Sequence, residues 1–270
     1  MLQSIQTLKG LTIGATDGHI GEVEEAYFDD QRWTIRYLVT ATGGWATDGW
    51  LSGRKVLVSP RSIQRIDWAK RVVRSNLNCQ QVKNSPPVDA DKPVSRQHEL
   101  ENAAYYGFDP FWAGSDLIAP LSGALLPVVP LPLTSEKQAR SETERGHADP
   151  HLRSSRDVVG YYVGAIDGDI GHIDDILFDD VDWALRYFVI DTRNWWPGKQ
   201  VLVATSWIDT IDWAEQKVSI SLSRAEIESS PEYHPGRVLG RDYEEALHRH
   251  YRKPTYWNTR DEPFPPIPGP

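Results

Sequence analysis

The chain has 270 residues, 40% of them hydrophobic and 10% aromatic, with a formal net charge of −9. This is enough apolar material for packed cores, and the acidic balance argues against a nucleic-acid binder, whose affinity rests on Lys and Arg displacing counterions. One cysteine, Cys79, excludes an internal disulfide framework and fits a reducing cytoplasm.

The opening residues, MLQSIQTLKG, have neither the basic start nor the apolar run of a secretory signal. From Leu8 to Val39 the sequence then states a pattern that returns from Val158 to Val189, with 14 of 32 positions identical at an offset of 150. A repeat of about 100 residues exceeds a solenoid unit of roughly 20–50, so each copy is read as a domain. Within a copy, Leu11–Gly14 leads into the tight turn Asp17-Gly18, Ile20–Phe28 reads as a strand, and Gly21 marks a bulge or a close backbone approach. Asp29-Asp30 makes the next turn, and Trp33, Ile35, Tyr37 and Val39 alternate as the inward face of a further strand. Thr40–Ser52 is a Gly- and Thr-rich loop longer by five residues than its twin, because the offset falls from 150 to 145. Val56–Val58, Ile63, Ile66 and Val72-Val73 complete the short strands. Turn signals between five or six short strands predict a small antiparallel barrel.

Each copy then changes period. Arg96–Tyr106 and Arg241–Tyr251 read as helices, closed by aromatic hooks that end at Trp112 and Trp257. The predicted organisation is a first barrel domain over 1–112, a linker over 113–155, a second barrel over 156–257 and a Pro-rich tail over 258–270. The linker contains the apolar run Leu117–Leu133, whose four prolines argue against a spanning helix and for an extended segment; contact with a membrane surface is the minority reading. Residues 1–113 balance 13 basic against 13 acidic groups, whereas 156–258 carry 11 against 18.

The signature G-x3-G-A-x-D-G-x-I-G is carried by Gly10, Asp17, Gly18 and Gly21 and again by Gly160, Asp167, Gly168 and Gly171. With the F-D-D turn, the W-x2-R-Y strand, the V-L-V strand and the R-x2-E-x6-Y helix, it resembles the PRC-barrel family. That family includes the cytoplasmic part of the photosynthetic reaction centre H subunit and the C-terminal domain of the ribosome-maturation factor RimM. The resemblance implies two small antiparallel PRC-type β-barrels in tandem, each followed by a short helix and hook. It implies a bacterial protein but fixes no activity.

No G-x-S-x-G, phosphate loop, H-E-x-x-H or paired CxxC occurs, so the chain is read as no enzyme, with no cofactor and no assigned metal site. The acidic run Asp167, Asp169, Asp174, Asp175, Asp179, Asp180 and Asp182 lacks the spacing of a calcium loop and reads as solvated turns and strand edges. The same holds for His19, Glu22 and Glu24, which alternate on one side of a strand. His147, Asp149 and His151 in the linker, and His248 and His250 on the second helix, lack a shared ligand geometry. Pro265 and Pro268 in the tail fit a PxxP pattern.

The function expected is therefore a cytoplasmic, non-catalytic interaction or scaffold protein that contacts a protein partner or itself. The second reading is an assembly factor of a membrane electron-transfer complex at the cytoplasmic face, and the third a role in ribosome or RNA maturation. The copies are expected to form an intramolecular pseudo-dimer, with a further homodimer of whole chains open to them. Sheet edges and the hooks at Tyr106, Trp112, Tyr251 and Trp257 are the expected interface, while Trp33, Trp183, Tyr37 and Tyr187 are expected in the cores.

Overall fold

The computed structural model describes residues 1–42, 54–86, 88, 94–111, 149, 151–192 and 198–257. Trp112, the Leu117–Leu133 run, His147 and the tail from 258 lie outside the described residues. The chain is mainly β and forms two sheets of seven strands.

The first half contributes β1 (Leu2–Ser4), β2 (Thr12–Gly14), β3 (His19–Asp29), β4 (Thr34–Thr42), β5 (Arg54–Val58), β6 (Ile63–Asp67) and β7 (Val72–Ser75). Helices α1 (Cys79–Asn84) and α2 (Arg96–Tyr106) follow. The second half repeats them as β8 (Leu152–Ser154), the short helix α3 (Ser155–Val158), β9 (Tyr162–Ala165), β10 (Gly168–Asp179), β11 (Leu185–Asp191), β12 (Gln200–Ala204), β13 (Ile208–Asp212) and β14 (Lys217–Ile220). It closes with α4 (Arg224–Glu228) and α5 (Arg241–His250).

Six strands of each sheet follow one order, β5-β4-β3-β2-β7-β6 and β12-β11-β10-β9-β14-β13. Among the described residues no ladder joins the two end strands of either run. β5 stops where Pro60 has no N–H to donate and the Ser59 hydroxyl accepts from Arg61 to cap a 3-10 turn. The antiparallel expectation needs one correction per sheet, because β2 runs parallel to β7 and β9 parallel to β14. A parallel pair needs a long crossover, and here β3 to β6 supply it.

The seventh strand of each sheet comes from the other half. β1 pairs with β10, Leu2 opposite Asp179, while β8 pairs with β3, Leu152 opposite Asp29. β8 lies inside the stretch read from sequence as linker. Each long strand is thus shared: the start of β3 faces β2 and its end faces β8.

Gly21 and Gly171 explain why the shared strands can lie so close to their neighbours. A Cβ at Gly21 would sit 1.9 Å from the Ala41 carbonyl oxygen, and one at Gly171 would sit 2.0 Å from that of Asp191. Neither backbone oxygen can turn away as a side chain could. Gly171→Ala is therefore expected to cost about 3 kcal/mol or more, since overpacking a tight site costs about 1–3 kcal/mol and the φ of +151° adds strain. Urea unfolding of this variant against Gly236→Ala, at a turn with open space around it, measures the difference.

Candidate functional site

The joint between the copies is built from two turns that the duplication preserves. Trp33 and Trp183 take positive φ values of 52° and 62°, which lets each backbone turn toward the other copy. The Ile35 N–H donates to the Trp183 carbonyl at 2.9 Å, and the Leu185 N–H to the Trp33 carbonyl at 2.6 Å. The exchanged strands repeat the symmetry, because the Asp30 N–H reaches the His151 carbonyl and the Asp180 N–H the Met1 carbonyl. The side chains follow the backbone. Trp33 stacks on Phe28 and meets Phe188 of the other copy edge-on at 5.5 Å, while Trp183 stacks on Phe178. One cluster of buried residues, with Phe28 and Ile35 beside Phe178 and Phe188, runs through both copies.

Between the Asp30 turn and β13, whose outer edge pairs with no strand among the described residues, lies a cleft of about 490 Å³. Asp30 accepts from His151 Nδ1 at 3.0 Å and from Arg153 Nε at 2.9 Å. The Arg153 guanidinium lies 4.1 Å from the centre of the Trp213 ring. Across the cleft, Asp209 accepts from Ser221. At the equivalent place in the second copy, Trp68 Nε1 donates to Asp180 at 2.9 Å and the Met1 ammonium ion-pairs with Asp179 and Asp180.

A second group of charges is buried beneath α2. Arg36 binds Asp29, Glu99 and Asp149, at 3.2 Å for Glu99 and 2.6 Å for Asp149. Asp149 also faces Arg96 Nε at 3.6 Å. Burial pushes the Glu99 carboxyl up to about 8, and its hydrogen bond with Asp149 adds to this against the pull of Arg36. Asp149 is brought down to about 2: burial opposes this, but hydrogen bonds from Glu99, the His151 N–H and Arg36 overcome it. The charges then balance at neutral pH, with two arginines against two aspartates and a protonated Glu99. Phe111, in the hook, lies over the Arg36 guanidinium at 4.7 Å and closes the group off.

In the second copy the same ions are placed differently: Arg186, the twin of Arg36, pairs with Asp182, Glu244 pairs with Arg241 at 3.3 Å, and a hydrogen-bonded network joins them. The Tyr187 hydroxyl stands between Glu244 at 3.1 Å and His248 Nε2 at 2.9 Å, and the Tyr256 hydroxyl donates to Glu244 at 2.9 Å. Burial pushes His248 down, and its Nδ1–H donates to the Pro254 carbonyl.

No protein-family model matches this chain, and no curated protein does either.

The signature turns are scaffolding. Asp17 accepts the Cys79 N–H at 2.8 Å and Asp167 the Arg224 N–H at 2.8 Å, so each turn ties down the start of the helix that follows the last strand. Gly10 and Gly160 take φ values of 73° and 97° at the turn before β2 and β9, Gly168 one of 139°, and Gly18 faces the Cys79 sulfur. Cys79 itself is partly buried, which raises its pKa. The hooks cover their own copies. Tyr106 stacks with Phe108, Tyr251 is buried against Trp207 at 5.0 Å, and Trp257 packs on Tyr256 and on the Arg241 guanidinium. Trp183, read as core, is buried in the core cluster and Trp33 packs half-buried against it, both at the joint between the copies.

The acidic run lies along β10 and the turns that flank it, with separate partners: Asp169 with Lys217, Asp175 with Ser4, Asp182 with Arg186. Glu24 pairs with Lys55, and His250 donates to the Glu226 carbonyl, away from His248. Among the described residues no helix is long and apolar enough to cross a membrane.

Proposed function

We propose that this chain is a non-catalytic interaction or scaffold protein of the cytoplasm, built from two PRC-barrel-type copies, which binds a protein partner or a second chain. The observation that carries this reading is the reciprocal exchange of β1 and β8, which welds the copies into one body, while among the described residues no strand pairs with the outer edges of β6 and β13. An open edge is a template for an added strand. Across the cleft beside β13, Asp30, His151, Arg153 and Asp209 bind one another or their own walls, an arrangement suited to shape and charge recognition. The recurrence of the signature turns, the strand order and the terminal helix supports the PRC-type assignment.

Co-purification of the tagged full chain from its own cells, with sedimentation of the purified protein, tests the proposal. A stoichiometric protein partner or a chain dimer, weakened by Thr210→Arg on the exposed edge of β13, is the expected result. Recovery with ribosomal RNA, or turnover abolished by His151→Ala, contradicts it.

A further inference from the structure

The two copies keep one hairpin in the same shape and give it opposite charge. β6–β7 and β13–β14 match at an offset of 145, with Ile66 and Trp68 standing where Ile211 and Trp213 stand. The turn is the same as well: Asp67 accepts the Lys70 N–H, Asp212 accepts the Glu215 N–H, and Arg71 and Gln216 take positive φ values of 54° and 53°. The exposed positions differ. Residues 61–75 carry Arg61, Arg65, Lys70, Arg71 and Arg74 against the single acid Asp67, whereas 206–220 carry Asp209, Asp212 and Glu215 against the single cation Lys217.

The chain itself does not neutralise these charges. All five cations are exposed, and among the described residues the carboxylate nearest to them is Asp67, 4.0 Å from Lys70 Nζ. Arg61 and Arg71 donate to the Asp109 and Lys9 carbonyls, which carry no charge. On the other hairpin Lys217 is taken by Asp169, which leaves the three exposed acids in excess. Both hairpins also present an edge, since among the described residues no strand pairs with the outer side of β6 or β13. Like charges across a ladder oppose pairing and opposite charges favour it. β6 therefore rejects a second β6 and β13 a second β13, and the pairing that charge selects is β6 against β13.

We propose that the partner is a second copy of this chain, the basic β6–β7 hairpin of one chain docking along the acidic β13–β14 hairpin of the next. This rests on the protein-binding reading above and names the partner. Arg65 lies mid-strand in β6, and Asp209 and Asp212 flank the middle of β13, so a centred pairing brings them within cross-strand reach in either strand direction. Each chain offers one surface of each kind, which makes the contact heterologous: it repeats head to tail and either closes into a ring or extends.

Sedimentation of the purified full chain over a range of concentrations and salt tests this. Association should grow with concentration and weaken at least tenfold as salt rises from about 0.05 M to about 0.5 M, because exposed charges are then screened over a few ångströms. Arg65→Glu with Lys70→Glu and Arg74→Glu makes both hairpins acidic, and Asp209→Arg with Glu215→Lys makes both basic, so each variant alone is expected to be monomeric. All five positions are exposed. Mixed one to one, the two variants should associate again, because the native acidic hairpin of the first meets the native basic hairpin of the second; misfolded variants could not give this recovery. A wild-type chain that stays monomeric at low salt overturns the proposal and leaves the binding of another protein to the co-purification above. So does association that persists in high salt or in either variant alone, or that appears only with RNA present.

Discussion

Arg36→Met is expected to destabilise the protein by about 3–5 kcal/mol, the range for breaking a buried ion pair and leaving its partners without a counter-charge. Arg36 binds three carboxyl groups, and the side chains of Arg36, Asp29, Glu99 and Asp149 are all buried. Methionine fills a similar volume, so the effect reports charge rather than a cavity. Glu99→Gln is expected to change little at neutral pH, because Glu99 already holds its proton there. The pH dependence separates the two. Glu99 rises from 4.5 to about 8 on folding, so the folded state binds the extra proton and stability falls as pH climbs across that interval. Asp149 falls from 3.8 to about 2, so its contribution is present above 3.8 and is lost as pH drops toward 2. Urea midpoints should therefore be highest near pH 4–5, between those two windows, and decline toward pH 8. Glu99→Gln should flatten the decline, and a wild-type midpoint that rises across the same interval contradicts the protonated Glu99.

Trp183→Ala is expected to cost about 3–5 kcal/mol, as for other buried Trp or Phe truncations. Trp183 is 8% exposed, its ring stacks on Phe178, and its carbonyl accepts the Ile35 N–H of the other copy. The positive φ provides an internal control. Glycine tolerates φ of 62° and alanine does not, so Trp183→Gly should be more stable than Trp183→Ala by about 1 kcal/mol. Elsewhere in a sheet glycine is the worse choice. An inverted order in thermal unfolding would remove the turn at Trp183 from the account.

Much of each copy was legible in the sequence. The helix Arg96–Tyr106 forms as read, and β3 and β10 extend only a residue or so beyond the expected strand. The sequence marks Gly21 as a bulge or a point of close approach, and its missing Cβ faces a backbone oxygen. What escaped has physical reasons. β4 is buried on both faces, so the half-buried alternation of Trp33, Ile35, Tyr37 and Val39 does not hold once α2 covers the side that carries Arg36. The ion group needs Asp149, 113 residues from Arg36, and no local pattern links them. The exchanged strands are three residues each, too short for periodicity to register. Their one signal is L-x-S at Leu2–Ser4 and again at Leu152–Ser154, at the same offset of 150 as the body of the repeat.

The exchange of β1 and β8 makes the two copies one interlocked body rather than two domains on a tether. Cutting the full chain at a protease site engineered between Ser135 and Glu136, in the stretch that joins the copies, tests this directly. After cleavage the halves should co-elute as one species under native conditions and unfold in a single urea transition, since β1 and β8 still complete each other's sheets. Two fragments that separate on the column, each still folded, would contradict the account.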